Sequence, residues 1–396
     1  MRVAILHSYY SSDSPSGENI SVDAQAEALS AHGHTVRVIG RFTDVQSKST
    51  TYPIRAAISA SGIYGPSPIH EIADFDPDIL HIHNLFPNWG TRWLRDWDGP
   101  TVATMHNYRA MCSNSLLWRD GHDCRECLDH GSFSAVVHKC YRDSLIATLP
   151  LAYATRNRAS HSDVLNHAQI LITLNNKSAQ IYGALKPDVP IHVLPNFARS
   201  SHTSGSTEVK GWIYVGRLTE EKGINWLLTR WPRGQELNII GSGPAEDEAN
   251  RIIKTRDLTK VTLLGRRDPG DTVQAIRNAK GLILPSLWSE GIPTVALEAL
   301  SVGTPLIISQ DCDAHEELTS KNAGVTFNSK QATESTIASL LSYIESHENQ
   351  MAHAAFDLYQ SSFSERSWIK SIEETYRDAI SRYAVSGSST LSGQSA

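Results

Sequence analysis

The chain holds 396 residues, 40% of them apolar and 20% charged, with a formal net charge of −6. That length and balance predict two or three globular domains, and the acidic excess gives no basis for nucleic-acid binding. The apolar opening at 1–6 is too short for a signal peptide, because His7 ends it, and no window approaches the roughly 20 apolar residues of a membrane span. The expected location is therefore cytoplasmic, at most peripheral to the inner face of the membrane.

Short apolar runs alternate with longer helix-spaced segments, the pattern of an α/β fold with parallel sheets. Residues 2–7 read as a first buried strand, 21–32 as a helix stopped by Gly33, and 35–39 as the next strand. Further strands are predicted at 79–83, 101–105 and 169–173. After Pro195-Asn196-Phe197 the sequence turns Ser/Thr-rich and aperiodic, so 198–209 reads as a linker. A second alternation follows, with strands at 211–215, 236–240, 260–264, 281–284 and 305–308. The expected domains are 1–197, with a cysteine-rich insertion at 107–145, and 210–363, two α/β halves with a ligand cleft between them as the default. A helix over 364–385 is expected to return to the first domain, and the Ser/Gly-rich residues 386–396 to be a disordered tail.

The most informative stretch runs from Leu282 to Leu300. A strand ending near Pro285 gives way to a loop carrying Glu290, and Pro293 reads as the first residue of a helix that Gly303 and Pro305 close. Glu290 then stands at the carboxyl end of a parallel strand, where open α/β sheets bind ligands. Glu298, one to two turns into the helix, leans back toward its amino terminus. Two carboxylates can thus face the hydroxyls of one ligand, while the helix terminus between them favours phosphate. Two acids at this spacing are more often found in caps or salt bridges, so context decides.

That context is a resemblance. The segment Ser289-Glu290-Gly291-Ile292-Pro293-Thr294-Val295-Ala296-Leu297-Glu298 resembles the Glu-x7-Glu signature of glycosyltransferase family 4, a group of retaining enzymes with the GT-B fold. Tyr214-Val215-Gly216-Arg217-Leu218-Thr219-Glu220-Glu221-Lys222-Gly223 resembles the family's phosphate-binding Arg/Lys pair. Ile239-Ile240-Gly241-Ser242-Gly243-Pro244 resembles its glycine turn, and Leu263-Leu264-Gly265-Arg266-Arg267 its strand-end loop near the nucleobase. The resemblance implies two Rossmann-like domains with parallel sheets facing a central cleft. It also implies sugar transfer from a nucleotide diphosphate sugar with retained configuration. Glu290 would hold the donor sugar, with Gly291 and Ile292 beside it, and Glu298 the ribose. Arg217 and Lys222 would stabilise the departing diphosphate, and Gly241, Gly243 and Arg266 would line the donor. Fixed charge of this kind is usually the largest catalytic term. It can replace a divalent metal, so no cofactor is required. Taken alone, Arg217 and Lys222 read as a solvated pair matched by Glu220 and Glu221, and the two glycines as a plain strand-to-helix turn.

The first half carries the resemblance less densely. Pro15-Ser16-Gly17-Glu18-Asn19 stands where the family has two adjacent glycines, so backbone approach to phosphate rests on Gly17; a loop glycine needing positive φ is the alternative. Thr104-Met105-His106-Asn107-Tyr108 resembles a Thr-x-His-Asp segment, with Asn107 in place of the acid, and implies a role for His106 at a donor hydroxyl or the reacting centre. His81, His83 and Asn84 mark another strand end, and His83 is expected to shape the acceptor pocket.

Cys112, Cys124, Cys127 and Cys140 form Cys-x11-Cys-x2-Cys-x12-Cys around a turn at Arg119-Asp120-Gly121. The spacing suits one structural zinc ion on four thiolates, with His122, His130 and His138 as alternative ligands. Separate reduced cysteines are the competing reading, and a cytosolic setting disfavours a disulfide.

The expected function is a hexosyltransferase using a UDP- or GDP-sugar and a glycan, lipid-linked or small-molecule acceptor. A GT-B epimerase or phosphorylase, and a non-catalytic sugar-nucleotide-binding protein, are the alternatives. A nicotinamide oxidoreductase fits poorly, because the Gly241 turn lacks the third glycine of the dinucleotide fingerprint and a ribose-binding acid about 20 residues later. The apolar stretch 145–153, followed by Arg156 and Arg158, reads first as a buried helix and second as a membrane contact.

Overall fold

Seven successive buried side chains follow Arg2, a run that a strand accommodates when its sheet is covered on both faces. The structure, a computed structural model, describes residues 1–10, 16–157, 160–199 and 211–392, with side chains through 385. Strand β1 (Arg2–Tyr9) pairs in parallel with β2 (Thr35–Phe42) and β3 (Ile79–Ile82). With β4 (Thr101–Met105), β7 (Ile170–Thr173) and β8 (Ile191–Val193) they form a six-stranded sheet ordered β2-β1-β3-β4-β7-β8. Strands β5 (Trp118–Arg119) and β6 (His122–Asp123) make a separate antiparallel hairpin, turning at Asp120-Gly121.

The second sheet repeats the plan. It takes β9 (Trp212–Val215), β10 (Leu237–Ile240), β11 (Val261–Gly265), β12 (Leu282–Leu284), β13 (Leu306–Ser309) and β14 (Gly324–Phe327) in the order β11-β10-β9-β12-β13-β14. Alternation along the strands divides its core in two. Ile213, Leu282, Leu284, Leu306 and Ile308 face one layer of helices. Trp212, Tyr214, Leu237, Ile239, Ile283 and Ile307 face the other.

The chain divides into two units, Met1–Leu194 with the residues from Ile369 onward, and Pro195–Trp368. The helix Glu365–Ser392 therefore starts in the second unit and continues in the first. There Ile372, Tyr376 and Ala379 are fully buried, and the Tyr376 hydroxyl is hydrogen-bonded to His81 Nδ1 at 2.8 Å.

Several boundaries differ from expectation for local reasons. β1 does not stop at His7: that ring is fully buried and bonded to Asn19 at 3.0 Å, so the strand runs on to Tyr9. The first helix is Gly17–Ala31, because the Ser16 side chain caps it by accepting from the Asn19 amide at 3.3 Å. Of the expected tail at 386–396, helical backbone is described as far as Ser392. The rest of that tail, Pro15, Arg158 and nearly all of the expected linker lie outside the described residues. Among the described residues no helix is long and apolar enough to cross a membrane.

Candidate functional site

In the second unit the loop after β12 holds Glu290 in a closed set of bonds. Lys222 Nζ pairs with Glu290 Oε1, and Ser286 Oγ donates to Oε2 at 2.7 Å. Both members of the ion pair are mostly buried, where removing one partner of such a pair is costly. The Asp313 amide donates to the Glu290 carbonyl at 2.8 Å, while the Ser289 hydroxyl lies 2.6 and 2.7 Å from the two Asp313 carboxylate oxygens. Loop and β13 exit are thereby tied together.

The helix that follows is Thr294–Ser301, with Pro293 at its N-cap in extended backbone, φ −64° and ψ 121°. Pro293 thus precedes the helix rather than opening it. Glu298 sits in the second turn, and burial pushes its carboxyl up to about 7. No cation pairs with it among the described residues. Arg217, on the loop after β9, is 73% exposed and lies 3.7 Å from Glu221, while Arg266 is exposed just past β11. The space beside Gly241 and Gly243 is already taken. A Cβ on Gly241 would stand 1.9 Å from the Gly216 carbonyl oxygen, and one on Gly243 2.4 Å from that of Leu218. Their missing side chains let the β10 exit pack against the loop that carries Arg217.

In the first unit the strand ends gather histidines. His83 Nδ1 and His106 Nε2 are 2.8 Å apart, one hydrogen shared between them. His81 is fixed between Tyr376 and the Thr104 hydroxyl, the latter at 2.7 Å. Burial drives these rings toward the neutral form: His81 falls to about 3, His106 to about 4, and His83 well below its ordinary value. His7 is lowered for the same reason, and the neighbouring Glu18 carboxyl, 4.0 Å away, is raised by burial. Gly17 is the first residue of its helix, so its position is not that of a positive-φ loop glycine. A cavity of about 360 Å³ opens in this unit, with His83, Asn84, Arg109 and Tyr153 in its wall.

With both sites described, known proteins place the chain. The profile described as Glycosyltransferase Family 4 matches residues 15–200, and that described as Glycosyl transferases group 1 matches 202–356. The chain belongs to glycosyltransferase family 4. The glycogen synthase of Mycobacterium tuberculosis is 28% identical over 264 residues, 63% of this chain and 56% of that protein, so the match spans little more than half of that relative. Sucrose-phosphate synthase from Thermosynechococcus elongatus aligns over 96% of this chain and 99% of its own, with TM-score 0.64 and 16% identity. Anabaena HepE in complex with UDP aligns over 95% and 99%, with TM-score 0.58 and 14% identity. Likeness at such identities shows the fold: two Rossmann-like domains of the GT-B class.

Against the family signature, the structure joins Lys222 to Glu290 and His83 to His106, and pairs Arg217 with Glu221 instead of with either. Ser286, Ser289 and Asp313 were not singled out by the sequence, nor were His7 and Glu18. Polar residues inside the apolar runs, His7 above all, are the signal that would have found the latter two.

The four cysteines of this family-4 chain do converge, on one small cavity of about 10 Å³ beside the β5–β6 hairpin. All are free thiols. Burial, followed by the neighbouring Cys112 thiol, pushes Cys127 up to about 12, and the same causes raise Cys140. Among the described residues no three His, Cys, Asp or Glu side chains are grouped to hold an ion. The Cys112 thiol instead donates to the Asn114 side-chain oxygen at 2.8 Å.

Proposed function

We propose that this chain is a retaining hexosyltransferase that takes its sugar from a nucleoside diphosphate sugar, UDP- or GDP-linked, and passes it to a glycan, lipid-linked or small-molecule acceptor. The observation that carries the reading is Glu290, held by Lys222 and Ser286 at the carboxyl end of β12, with Arg217 on the loop after the adjacent β9. In the free protein Lys222 neutralises Glu290. A bound diphosphate attracts Lys222 and frees Glu290 Oε1 to accept from a sugar hydroxyl, so one ion pair opens into two substrate contacts. Arg217, already exposed, meets the phosphates from the other side. The bond from the anomeric carbon to the diphosphate oxygen then breaks as the acceptor oxygen bonds to that carbon on the same face. The acceptor's proton leaves with the diphosphate. Two cations fixed beside the leaving group lower the barrier without a metal.

Glu298 accepts from the ribose hydroxyls. A carboxyl raised by burial is half protonated near neutrality, and hydroxyl donors favour its charged form. The UDP bound by HepE supports a uridine nucleotide among the donors.

The test is a thermal-stability screen against UDP, GDP, ADP and dTDP and their sugars, followed by slow donor hydrolysis. Stabilisation by at least one nucleotide sugar and release of free sugar are expected. No shift with any of them would rule out the reading. Epimer formation in place of hydrolysis would assign the fold to epimerase chemistry.

A further inference from the structure

A helix that is apolar all round is normally covered all round. The helix Leu145–Ala154 is not. Thr148, Leu151 and Ala152 pack inward, while Ile146 is 82% exposed and Leu145, Leu149 and Tyr153 also face solvent. The short helix Ser134–Val137 packs against it and adds Phe133 and Val137, the latter 77% exposed; the helix Tyr52–Ala60 adds Ile54 on its other flank. Burying this helix was the first expectation from its sequence, and the structure buries only one face of it.

Charge segregates around the same surface. From residue 130 to 162 the sequence carries Lys139, Arg142, Arg156 and Arg158, the last outside the described residues, against Asp143; Asp163, in the cavity wall, is paired with Arg95. Lys139 and Arg142 are exposed. The Arg156 guanidinium lies 3.8 Å from the centre of the Tyr153 ring and donates to the Tyr153 carbonyl at 2.6 Å, with no carboxylate partner among the described residues. Arg92 likewise donates to a backbone carbonyl, that of Ile63, at 3.2 Å. Tyr153, Arg156 and Arg92 are also in the wall of the 360 Å³ cavity, so the cavity borders the apolar, cationic surface.

We propose that the helix Leu145–Ala154 and its flanks dock on an anionic lipid bilayer, and that the adjoining cavity receives an acceptor borne on a lipid phosphate. Exposed apolar side chains and a cationic fringe supply the two signals that stable peripheral binding needs, and neither suffices alone. The bilayer takes up Ile146, Leu149 and Phe133 at its acyl boundary, while Arg142 and Arg156 meet headgroup phosphates. Delivery of the acceptor rests on the glycosyl-transfer reading; docking does not.

Co-sedimentation of the full chain with phosphatidylcholine vesicles, with and without phosphatidylglycerol, tests the docking. The protein is expected in the pellet with anionic vesicles at low salt and in the supernatant with neutral ones. Ile146→Asp with Leu149→Asp should reduce partitioning about tenfold or more. Each of Arg142→Glu and Arg156→Glu should reduce it about fivefold or more. These side chains are surface groups, and an unchanged melting temperature and nucleotide-induced shift verify that each variant is folded. Wild-type protein left in the supernatant with anionic vesicles overturns the proposal. So does a concentration-dependent dimer that Ile146→Asp dissolves, which assigns the face to a second copy. Vesicle binding without any nucleotide shift keeps docking and removes the transfer reading; the reverse result does the opposite.

Discussion

The two units share a plan, six parallel strands with helices on both faces, yet they treat the carboxyl ends of their strands in opposite ways. The first gathers His7, His81, His83 and His106 and strips them of charge by burial. The second pairs opposite charges, Lys222 with Glu290 and Arg217 with Glu221. One fold therefore supplies a neutral hydrogen-bonding surface in one copy and an ionic one in the other. What differs is the partner: the mostly buried Glu290 has the cation Lys222 beside it, whereas His81, His83 and His106 are bonded to Tyr376, Thr104 and one another.

The largest test of this contrast is Glu290→Gln. It keeps the Ser286 contact and leaves Lys222 a partly buried cation without its partner. Turnover should fall about 100- to 1,000-fold while nucleotide binding changes little, as expected for a contact that strengthens in the transition state. Equal losses in both would make Glu290 a structural acid. Next in size is Gly241→Ala, whose Cβ meets the Gly216 carbonyl oxygen at a φ of +145°. It should destabilise the second unit by about 3 kcal/mol, seen in denaturant unfolding. Gly17→Ala, at the first position of a helix, should leave stability within about 1 kcal/mol of wild type. Any fall in turnover would then come from phosphate approach.

Smaller but more diagnostic is the response to pH. The buried histidines have folded-state values below the ordinary 6.5, near 3 for His81 and 4 for His106, so between those values and 6.5 the unfolded chain binds more protons. The first unit must lose stability as pH falls through that range, Glu18 offsetting part of the slope because its carboxyl is raised. Glu298, raised from 4.5 to about 7, binds more protons when folded, so its contribution makes the second unit lose stability as pH rises from 4.5 to 7. Hydrogen exchange resolved by unit should show opposed trends between pH 4.5 and 6.5, flattened by His83→Gln and by Glu298→Gln respectively. Parallel trends would erase the distinction. Smallest is Tyr376→Phe, which removes the hydroxyl bonded to His81 and should cost the first unit about 1–2 kcal/mol in the same unfolding assay.

How much of this could be read from the sequence depended on periodicity. β1, β4, β9, β10 and β12 were legible because each is a short run of buried apolar residues ended by a turn signal. β8 and β14 were not: Ile191-His192-Val193 and Gly324-Val325-Thr326-Phe327 are too short and too polar to declare a strand, and pairing with a formed neighbour makes them one. At the site, the Glu290–Glu298 spacing and the Arg217 and Lys222 segment were legible as motifs. Spacing could not say that Lys222 would rest on Glu290, nor that Asp313, reached through a different strand, would clamp Ser289. Such partners are set by sheet order, which brings β12 and β13 together, and no local pattern encodes it.

The helix Glu365–Ser392 also sets an order of assembly. Chains emerge from the ribosome amino end first, yet the first unit needs Ile372, Tyr376 and Ala379 to close its core. Every residue of the second unit has been synthesised before those three appear. The half encoded first is thus the half completed last, and until residues 372–379 arrive it presents an uncovered flank around His81. A gene cut at the linker would yield an amino-terminal fragment lacking part of its own interior, whereas a version carrying residues 369–385 on a tether to the first 194 would restore it.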